Sequence, residues 1–189
     1  MKRSIIILGF AGSLREKSYN KALLRAAEEL LPEDARLEIF DLEGIPVFNQ
    51  DLEYKMPEKV REFKRKIEAA DALLIATPEY NSSVPGVLKN AIDWASRPPA
   101  DNSFEDKPVA IMGASLGRIG TARAQCHLRQ VCVHVNMHPL NRPEVFVTFA
   151  DTKFDKKGRL RDEDTREILI QMLENLVSWT RRLEGPDTG

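Results

Sequence analysis

Apolar and polar positions follow two different spacings along this chain, and the two kinds of segment take turns along it. Short unbroken apolar runs are typical of strands buried on both faces of a sheet. Segments with an apolar residue every three or four positions are typical of helices that pack on such a sheet. The runs, with one alternating segment, predict strands at residues 3–10, 36–40, 72–76, 109–112 and 145–148. The periodic segments predict helices at residues 18–31, 86–97 and 119–133, one opened by Pro57, and a last one carrying Leu169 to Leu183.

The order of these elements predicts the fold class. Strands that alternate with amphipathic helices form a parallel sheet that is covered on both faces. Five strands and five helices within 189 residues predict an α/β, flavodoxin-like doubly wound fold with strand order 2-1-3-4-5. Because neither a linker nor a repeat interrupts the pattern, residues 1–189 are expected to form a single domain.

Composition narrows the range of partners. The net charge of −1 gives no overall field that favours nucleic acid. Every apolar run is far shorter than the roughly 20 residues that a membrane span needs. The two cysteines, Cys126 and Cys132, do not form a Cys-x-x-Cys pair. We therefore expect a cytoplasmic protein that binds neither nucleic acid nor membrane.

Three loops follow strands at the edge where a doubly wound sheet binds its ligands. Such sheets bind at the carboxyl ends of their strands, near the point where the strand order reverses. The loops at residues 11–20, 77–85 and 113–120 meet this condition, and their composition is unusual as well. We expect them to form one site.

The loop at 11–20 carries the residue types that bind phosphate. Ser13, Ser18 and Asn20 can donate hydrogen bonds, and Arg15 offers a planar fork for a charged oxygen at the start of a helix. The alternative is that Ser18 or Asn20 caps the helix, Ser13 forms a turn and Arg15 is a solvated surface charge. Since Gly-x-Gly-x-x-Gly is absent here, an ordinary dinucleotide site is disfavoured, and a phosphate-lysine loop is absent too.

The loop at 77–85 carries an aromatic and an amide side chain that can face a flat heteroaromatic ring. The segment in question is Pro78-Glu79-Tyr80-Asn81. Its alternative is a plain turn, because Pro78 and Asn81 are turn formers. Glu79 is a candidate general base without an evident partner.

The loop at 113–120 has the glycine spacing Gly-x-x-x-Gly-x-x-Gly, an imperfect match to a dinucleotide fingerprint. Its glycines allow close backbone approach to the same ligand's ring or to a reductant. A simple strand-to-helix turn is the alternative.

Other chemistries lack a pattern in this sequence. His127, His134 and His138 do not match a zinc spacing with the cysteines, so no metal site is expected. No Gly-x-Ser-x-Gly elbow is present for a serine hydrolase. The charged segment from Lys153 to Arg161 is balanced by nearby acids and predicts a solvated surface hairpin.

Three motifs in the loops carry a resemblance to a known family. They are Gly12-Ser13-Leu14-Arg15-x-x-Ser18-x-Asn20, then Pro78-Glu79-Tyr80-Asn81-x-Ser83-x-Pro85-Gly86-x-Leu88-Lys89-Asn90-Ala91-Ile92-Asp93-Trp94, then Gly113-Ala114-Ser115-x-Gly117. The sequence resembles the NADPH-dependent FMN reductases, and among them the branch that reduces chromate and quinones. The likeness runs in order to about residue 148.

The resemblance implies a non-covalent FMN, with NAD(P)H as the co-substrate. The implied phosphate contacts are Ser13, Arg15, Ser18 and Asn20, with a backbone contact from Tyr19. The implied ring contacts are Pro78, Glu79, Tyr80 and Asn81, with Ser115 and Gly117 on the other side of the ring. Arg118-Ile119-Gly120 departs from the small, glycine-rich continuation usual in the family.

The implied activity is an NAD(P)H oxidoreductase whose flavin N5 carries the chemistry, so no catalytic side chain is expected. Hydride would pass from NAD(P)H to FMN and then to a small-molecule acceptor: a quinone, free flavin, azo compound or metal oxyanion. The resemblance also implies a homodimer or homotetramer.

Two other functions stay open. One is a flavodoxin-type electron carrier without its own NAD(P)H activity, although such carriers are usually strongly acidic and lack an arginine such as Arg15. The other is a nucleotide-binding regulator without flavin.

Overall fold

The computed structural model describes residues 3–185 as a parallel sheet between two layers of helices. Residues 1–2 and 186–189 of the predicted domain lie outside the described residues. The strands are β1 (Ile5–Ala11), β2 (Ala35–Phe40), β3 (Ala72–Ala76), β4 (Pro108–Ala114), β5 (His138–Pro139) and β6 (Val145–Val147). The helices are α1 (Tyr19–Glu29), α2 (Glu58–Ala69), α3 (Gly86–Ala95), α4 (Ala122–His134), α5 (Ala150–Lys153) and α6 (Glu163–Glu184), with a 3₁₀ helix at Gln50–Lys55.

The sheet has the order β2-β1-β3-β4-β5, which confirms the predicted 2-1-3-4-5 arrangement. The fifth position is shared by two short strands, since β6 also pairs with β4 in parallel. His138 and Pro139 pair near the start of β4, and Val145–Val147 pairs with its end. The sequence pattern predicts only the second of these strands, because a two-residue strand leaves no apolar run.

Two apolar cores cover the two faces of the sheet. Side chains alternate along each central strand: Leu74 of β3 faces the core that includes α1 and α6, whereas Leu73 and Ile75 face the core that includes α2, α3 and α4. Every residue of β3 and β4 is buried. This two-sided burial explains why these strands lack polar alternation.

Helix boundaries differ most from prediction at α4. The helix begins at Ala122 instead of about residue 119, because Gly120 and Thr121 have φ angles of +60° and +72°. A left-handed backbone cannot belong to the right-handed helix, so these two residues end the loop. The predicted hairpin at 153–161 is confirmed by an antiparallel bridge between Phe154 and Leu160. The short helix α5 before it was not predicted.

Two further observations bear on the predicted setting. Across residues 3–185, no helix combines the length and the apolar character needed to cross a membrane. Cys126 and Cys132 are both free, Cys126 exposed and Cys132 buried.

Candidate functional site

The three predicted loops meet at the carboxyl ends of the neighbouring strands β1, β3 and β4. Backbone hydrogen bonds extend the sheet into them: Gly12 N donates to Ala76 O, and Thr77 N donates to Met112 O, both at 2.9 Å. Between the loops lies an open cleft of about 290 Å³. Its lining residues are Ser13, Arg15, Ser18, Tyr19, Asn20, Pro78, Glu79, Tyr80, Ala114, Ser115 and Leu116.

All the residues predicted to contact a ligand line this cleft, except Asn81 and Gly117. Asn81 and Gly117 are exposed beside it. Sequence reasoning missed Ala114 and Leu116. Leu116 occupies the variable position of the third motif, and its side chain is 60% exposed, which is unusual for a leucine.

Ser18 is the cap of α1, as one of the alternative interpretations held. Its Oγ accepts hydrogen bonds from Asn20 N at 3.2 Å and from Lys21 N at 3.4 Å. Ser13 Oγ accepts from Arg15 N at 3.3 Å, which forms the turn. These bonds use only the oxygen lone pairs, so both hydroxyl hydrogens remain able to donate. Capping and phosphate binding are therefore compatible at the positive end of α1.

The Arg15 guanidinium is available for an anion. Its Cζ lies 5.8 Å from the centre of the Tyr19 ring, and Tyr19 in turn packs against Phe154. Within the part of the chain that the structure describes, the Arg15 side chain has no carboxylate partner. An arginine held on a ring, next to two serine hydroxyls, suits a phosphate group.

Asn20 joins the first loop to the third. Its buried amide forms two hydrogen bonds with the backbone of Ala114: Nδ2 donates to Ala114 O at 3.0 Å, and Oδ1 accepts from Ala114 N at 2.9 Å. Asn20 is thus not the helix cap. One Nδ2 hydrogen is left for a ligand, and the pair of bonds fixes the start of α1 against the end of β4.

The second loop contains a tight backbone turn. Tyr80 N donates to Ser83 O at 3.2 Å, and Ser83 N donates to Tyr80 O at 3.0 Å. The two central residues, Asn81 and Ser82, have φ angles of +50° and +62°, typical of a type I′ turn. The turn leaves the Tyr80 side chain at the cleft, 53% exposed, while Pro78 beneath it is buried.

Glu79 has the partner that the sequence did not reveal. Its Oε2 accepts from Arg123 N at 3.0 Å and Ala124 N at 3.2 Å, so it caps α4. The residue at the cap position, Thr121, does not cap the backbone of the described helix, because its hydroxyl instead accepts from Gln125 Nε2 at 3.1 Å. The Oε1 atom of Glu79 accepts from Arg123 Nε at 2.6 Å and pairs with Arg123 Nη2. Burial alone would raise the pKa of Glu79. The Arg123 side chain and the backbone donors outweigh this effect, so the pKa of Glu79 lies below its usual value.

A glycine allows the third loop to lie close to the second. A Cβ built on Gly113 would overlap the Thr121 hydroxyl and the Thr77 carbonyl oxygen. Ser115 follows, and its Oγ accepts a hydrogen bond from Gly117 N at 3.1 Å. Gly117 therefore shapes the loop through its backbone.

A larger groove, of about 700 Å³, lies between α3 and α4. It reaches the second loop at Ser83, whose Oγ lies 3.0 Å from His127 Nδ1. Its walls are apolar at Ile92 and Val131 and charged at Lys89. One wall of the groove lies within the second motif, but the groove was not predicted, because its other wall comes from α4, more than 30 residues further along the chain.

Comparison with known proteins shows which family and which solved structures this chain is similar to. The NADPH-dependent FMN reductase family matches residues 5–152. An NAD(P)H-dependent FMN reductase of Pseudomonas aeruginosa is 54% identical over 98% of this chain and 100% of its own. A 2-hydroxy-1,4-benzoquinone reductase of a Burkholderia species is 45% identical over 90% of this chain and 93% of its own. Among solved structures, the flavoenzyme NAD(P)H:(acceptor) oxidoreductase FerB from Paracoccus denitrificans has a TM-score of 0.87 at 35% identity, covering 94% of this chain and 98% of its own.

Proposed function

Because the chain belongs to the NADPH-dependent FMN reductase family, we propose that it is an FMN-dependent NAD(P)H oxidoreductase. The acceptor is a small molecule: a quinone, free flavin, azo compound or metal oxyanion. The observation that carries the proposal is the Arg15 guanidinium, which has no carboxylate partner among residues 3–185 and lies against the Tyr19 ring beside the capped start of α1. It lies in the same cleft as the Tyr80 side chain, so phosphate and ring sites are continuous.

The residues of the cleft fit the two ends of FMN. Ser13, Arg15, Ser18, the free Nδ2 hydrogen of Asn20 and the Tyr19 backbone suit the phosphate. The ring end has few free side-chain polar atoms. Its contacts are Pro78, the Glu79 and Asn81 backbone, Tyr80, Ser115 and Gly117.

When bound, FMN would supply the hydride and electron-transfer chemistry that side chains cannot provide. The chain's own residues bind and orient. Glu79 is not a general base, because both carboxylate oxygens are bonded to the start of α4 and its pKa is lowered. Backbone N–H groups of the second loop are the donors available to a ring that gains negative charge.

The α3–α4 groove supports the proposal of a homodimer, itself able to pair into a homotetramer. The groove has a volume of about 700 Å³, is apolar at Ile92 and Val131, and carries both signs of charge at Lys89, Asp93 and Arg97. Within one chain Lys89 Nζ pairs with Asp93 Oδ1 at 2.6 Å, and a second copy related by a twofold axis can exchange these partners. It would cover the groove beside the cleft.

The subunit proposal is tested with Val131→Asp, which puts a charge on the wall of the groove. The matched control is Leu183→Asp, because Leu183 is partly exposed on α6, on the other face of the sheet. Light scattering after size exclusion should give a dimer or tetramer for the unaltered protein and the control, and a monomer for Val131→Asp. A monomeric unaltered protein would contradict the proposal.

The function is tested on the purified protein. We expect one FMN per chain, released unmodified on denaturation, and a yellow colour that bleaches with NADH or NADPH and returns with a quinone. Initial rates against both substrates should give parallel double-reciprocal lines, because nucleotide and acceptor use the same open face in turn. A protein that ignores added FMN would refute the proposal. Bleaching only through a partner reductase would instead indicate an electron carrier.

Setting and domain organisation complete the proposal. We place the protein in the cytoplasm, with support from two free cysteines. We propose a single FMN-binding domain over residues 1–189, because α6 lies beyond the family match yet shares a core with β1, β3 and β4 through Leu169, Leu173 and Leu176.

A further inference from the structure

Glu79 connects two parts of the cleft that approach each other from different elements. Its backbone belongs to the second loop, next to Pro78 and the turn at Tyr80. Its carboxylate belongs, by its bonds, to the first turn of α4 and to the Arg123 side chain. The carboxylate is 9% exposed, whereas the arginine is 52% exposed. The side chain of Glu79 therefore links the second loop to the start of α4.

The contact also balances charge at the ring end of the cleft. The carboxylate lies against a cation and against the positive end of a 13-residue helix, so its negative charge is compensated on both sides. Among the described residues that line the cleft, Glu79 is the only acidic one and Arg15 the only basic one. Arg15 lies in the first loop, at the phosphate end. The acidic charge at the ring end therefore belongs to Glu79, and Arg123 is its ion-pair partner.

We propose that the Glu79–Arg123 pair positions the ring loop and sets the reduction potential of the bound FMN. Reduction adds negative charge to the flavin. A net positive neighbour therefore favours the reduced form and raises the potential, and a net negative neighbour lowers it. Glu79 is a positioning residue by this proposal, not a catalytic one. The inference rests on the proposed function, because it requires FMN in the cleft.

Neutralising Glu79 and neutralising Arg123 should shift the reduction potential of the bound FMN in opposite directions. Glu79→Gln keeps the length of the side chain and an oxygen that accepts from the α4 backbone, but it leaves Arg123 unbalanced. Its potential should rise above that of the unaltered protein. Arg123→Gln leaves the carboxylate balanced only by the helix, and its potential should fall. The double variant should return close to the unaltered value. A purely structural role would weaken FMN binding in all three variants, without opposite shifts.

The measurement is equilibration of each FMN-loaded protein with a reference dye of known potential, followed by absorbance. The matched controls are Glu58→Gln and Arg61→Gln, which break an exposed ion pair on α2 away from the cleft. Thermal melting of each protein without FMN checks that the fold persists. Controls with unchanged potentials and cleft variants with opposite shifts would support the proposal.

The outcomes separate this inference from the proposed function. FMN bound with potentials that do not move, or that move in the same direction in both single variants, would overturn the role of the pair alone. Failure of the unaltered protein to bind FMN would overturn the proposed function, and this inference with it. Should Glu79→Gln not fold, Arg123→Gln still decides, because a potential that fails to fall contradicts the proposal.

Discussion

The first loop and the second loop meet at one cleft but offer a ligand different surfaces. In the first, the Arg15 guanidinium and two serine hydroxyls keep hydrogens that can donate to a ligand, so the binding groups that we propose there are side chains. In the second, Glu79 is fully engaged by α4, and Asn81 is exposed beside the cleft. What the second loop presents is mainly backbone and the Tyr80 side chain.

A binding surface made of side chains and one made of backbone should tolerate different substitutions. A site made of side chains loses affinity when one side chain is removed, while the fold stays intact. A site made of backbone depends on whatever holds the backbone, so its weak points are close contacts and turn conformations. We therefore expect the two loops to respond differently to substitution.

The largest effect is expected at Gly113, whose lack of a side chain lets β4 approach the start of the second loop. Gly113→Ala puts a methyl group into the space of the Thr121 hydroxyl and the Thr77 carbonyl, and Thr77 begins the second loop. Since a backbone oxygen cannot rotate away, the free energy of unfolding should fall by about 3 kcal/mol. Urea unfolding of the protein without FMN measures this. Gly86→Ala is the control, because no atom lies within 4 Å of its added Cβ, and it should leave stability unchanged or slightly raised.

The second largest effect is expected on FMN affinity, when the charge of Arg15 is removed from the first loop. Arg15→Ala removes a charge-assisted bond to the FMN phosphate and should weaken binding by about 1.5–3 kcal/mol, or roughly 10- to 150-fold in Kd. Fluorescence titration with FMN measures the Kd. Stability without FMN should stay within about 0.5 kcal/mol, because Arg15 is exposed. The neighbouring exposed Lys17→Ala should keep its affinity; equal losses in both variants would mean that only overall charge matters.

The same contrast explains which parts of the candidate site the sequence predicted. The meeting of the first loop with the other two was predictable, because the topology rule brings its polar residues to the sheet edge. The phosphate contacts proposed for those residues stay a prediction. The bonding of Glu79 was not predictable, since Arg123 lies 44 residues further on and its approach depends on where α4 begins. That start depends on the left-handed Gly120 and Thr121, which no periodicity reveals. Strand β5 was missed because two residues carry no pattern.

A smaller effect is expected at Ser18, which caps α1 and which we propose also contacts the phosphate of FMN. Ser18→Ala removes the cap of α1 and should lower stability without FMN by about 1 kcal/mol. Because the hydroxyl hydrogen is also free, FMN affinity should fall as well. Ser18→Thr restores a capping hydroxyl and should recover both. An alanine variant that is less stable but binds FMN normally would assign Ser18 to capping alone.

The smallest effect is expected at Ser82, in the backbone turn of the second loop. Ser82 has a φ of +62°, which costs a residue with a Cβ about 1 kcal/mol, while glycine adopts it freely. Glycine also gains freedom in the unfolded chain, so Ser82→Gly should raise stability by only about 0.5 kcal/mol. The control is Ser178→Gly within α6, where glycine should instead lower stability by about 0.5 kcal/mol. Paired chemical unfolding curves measure both signs. If Ser82→Gly also destabilises, the left-handed turn is not what holds Tyr80 at the cleft, and the contrast between the two loops weakens.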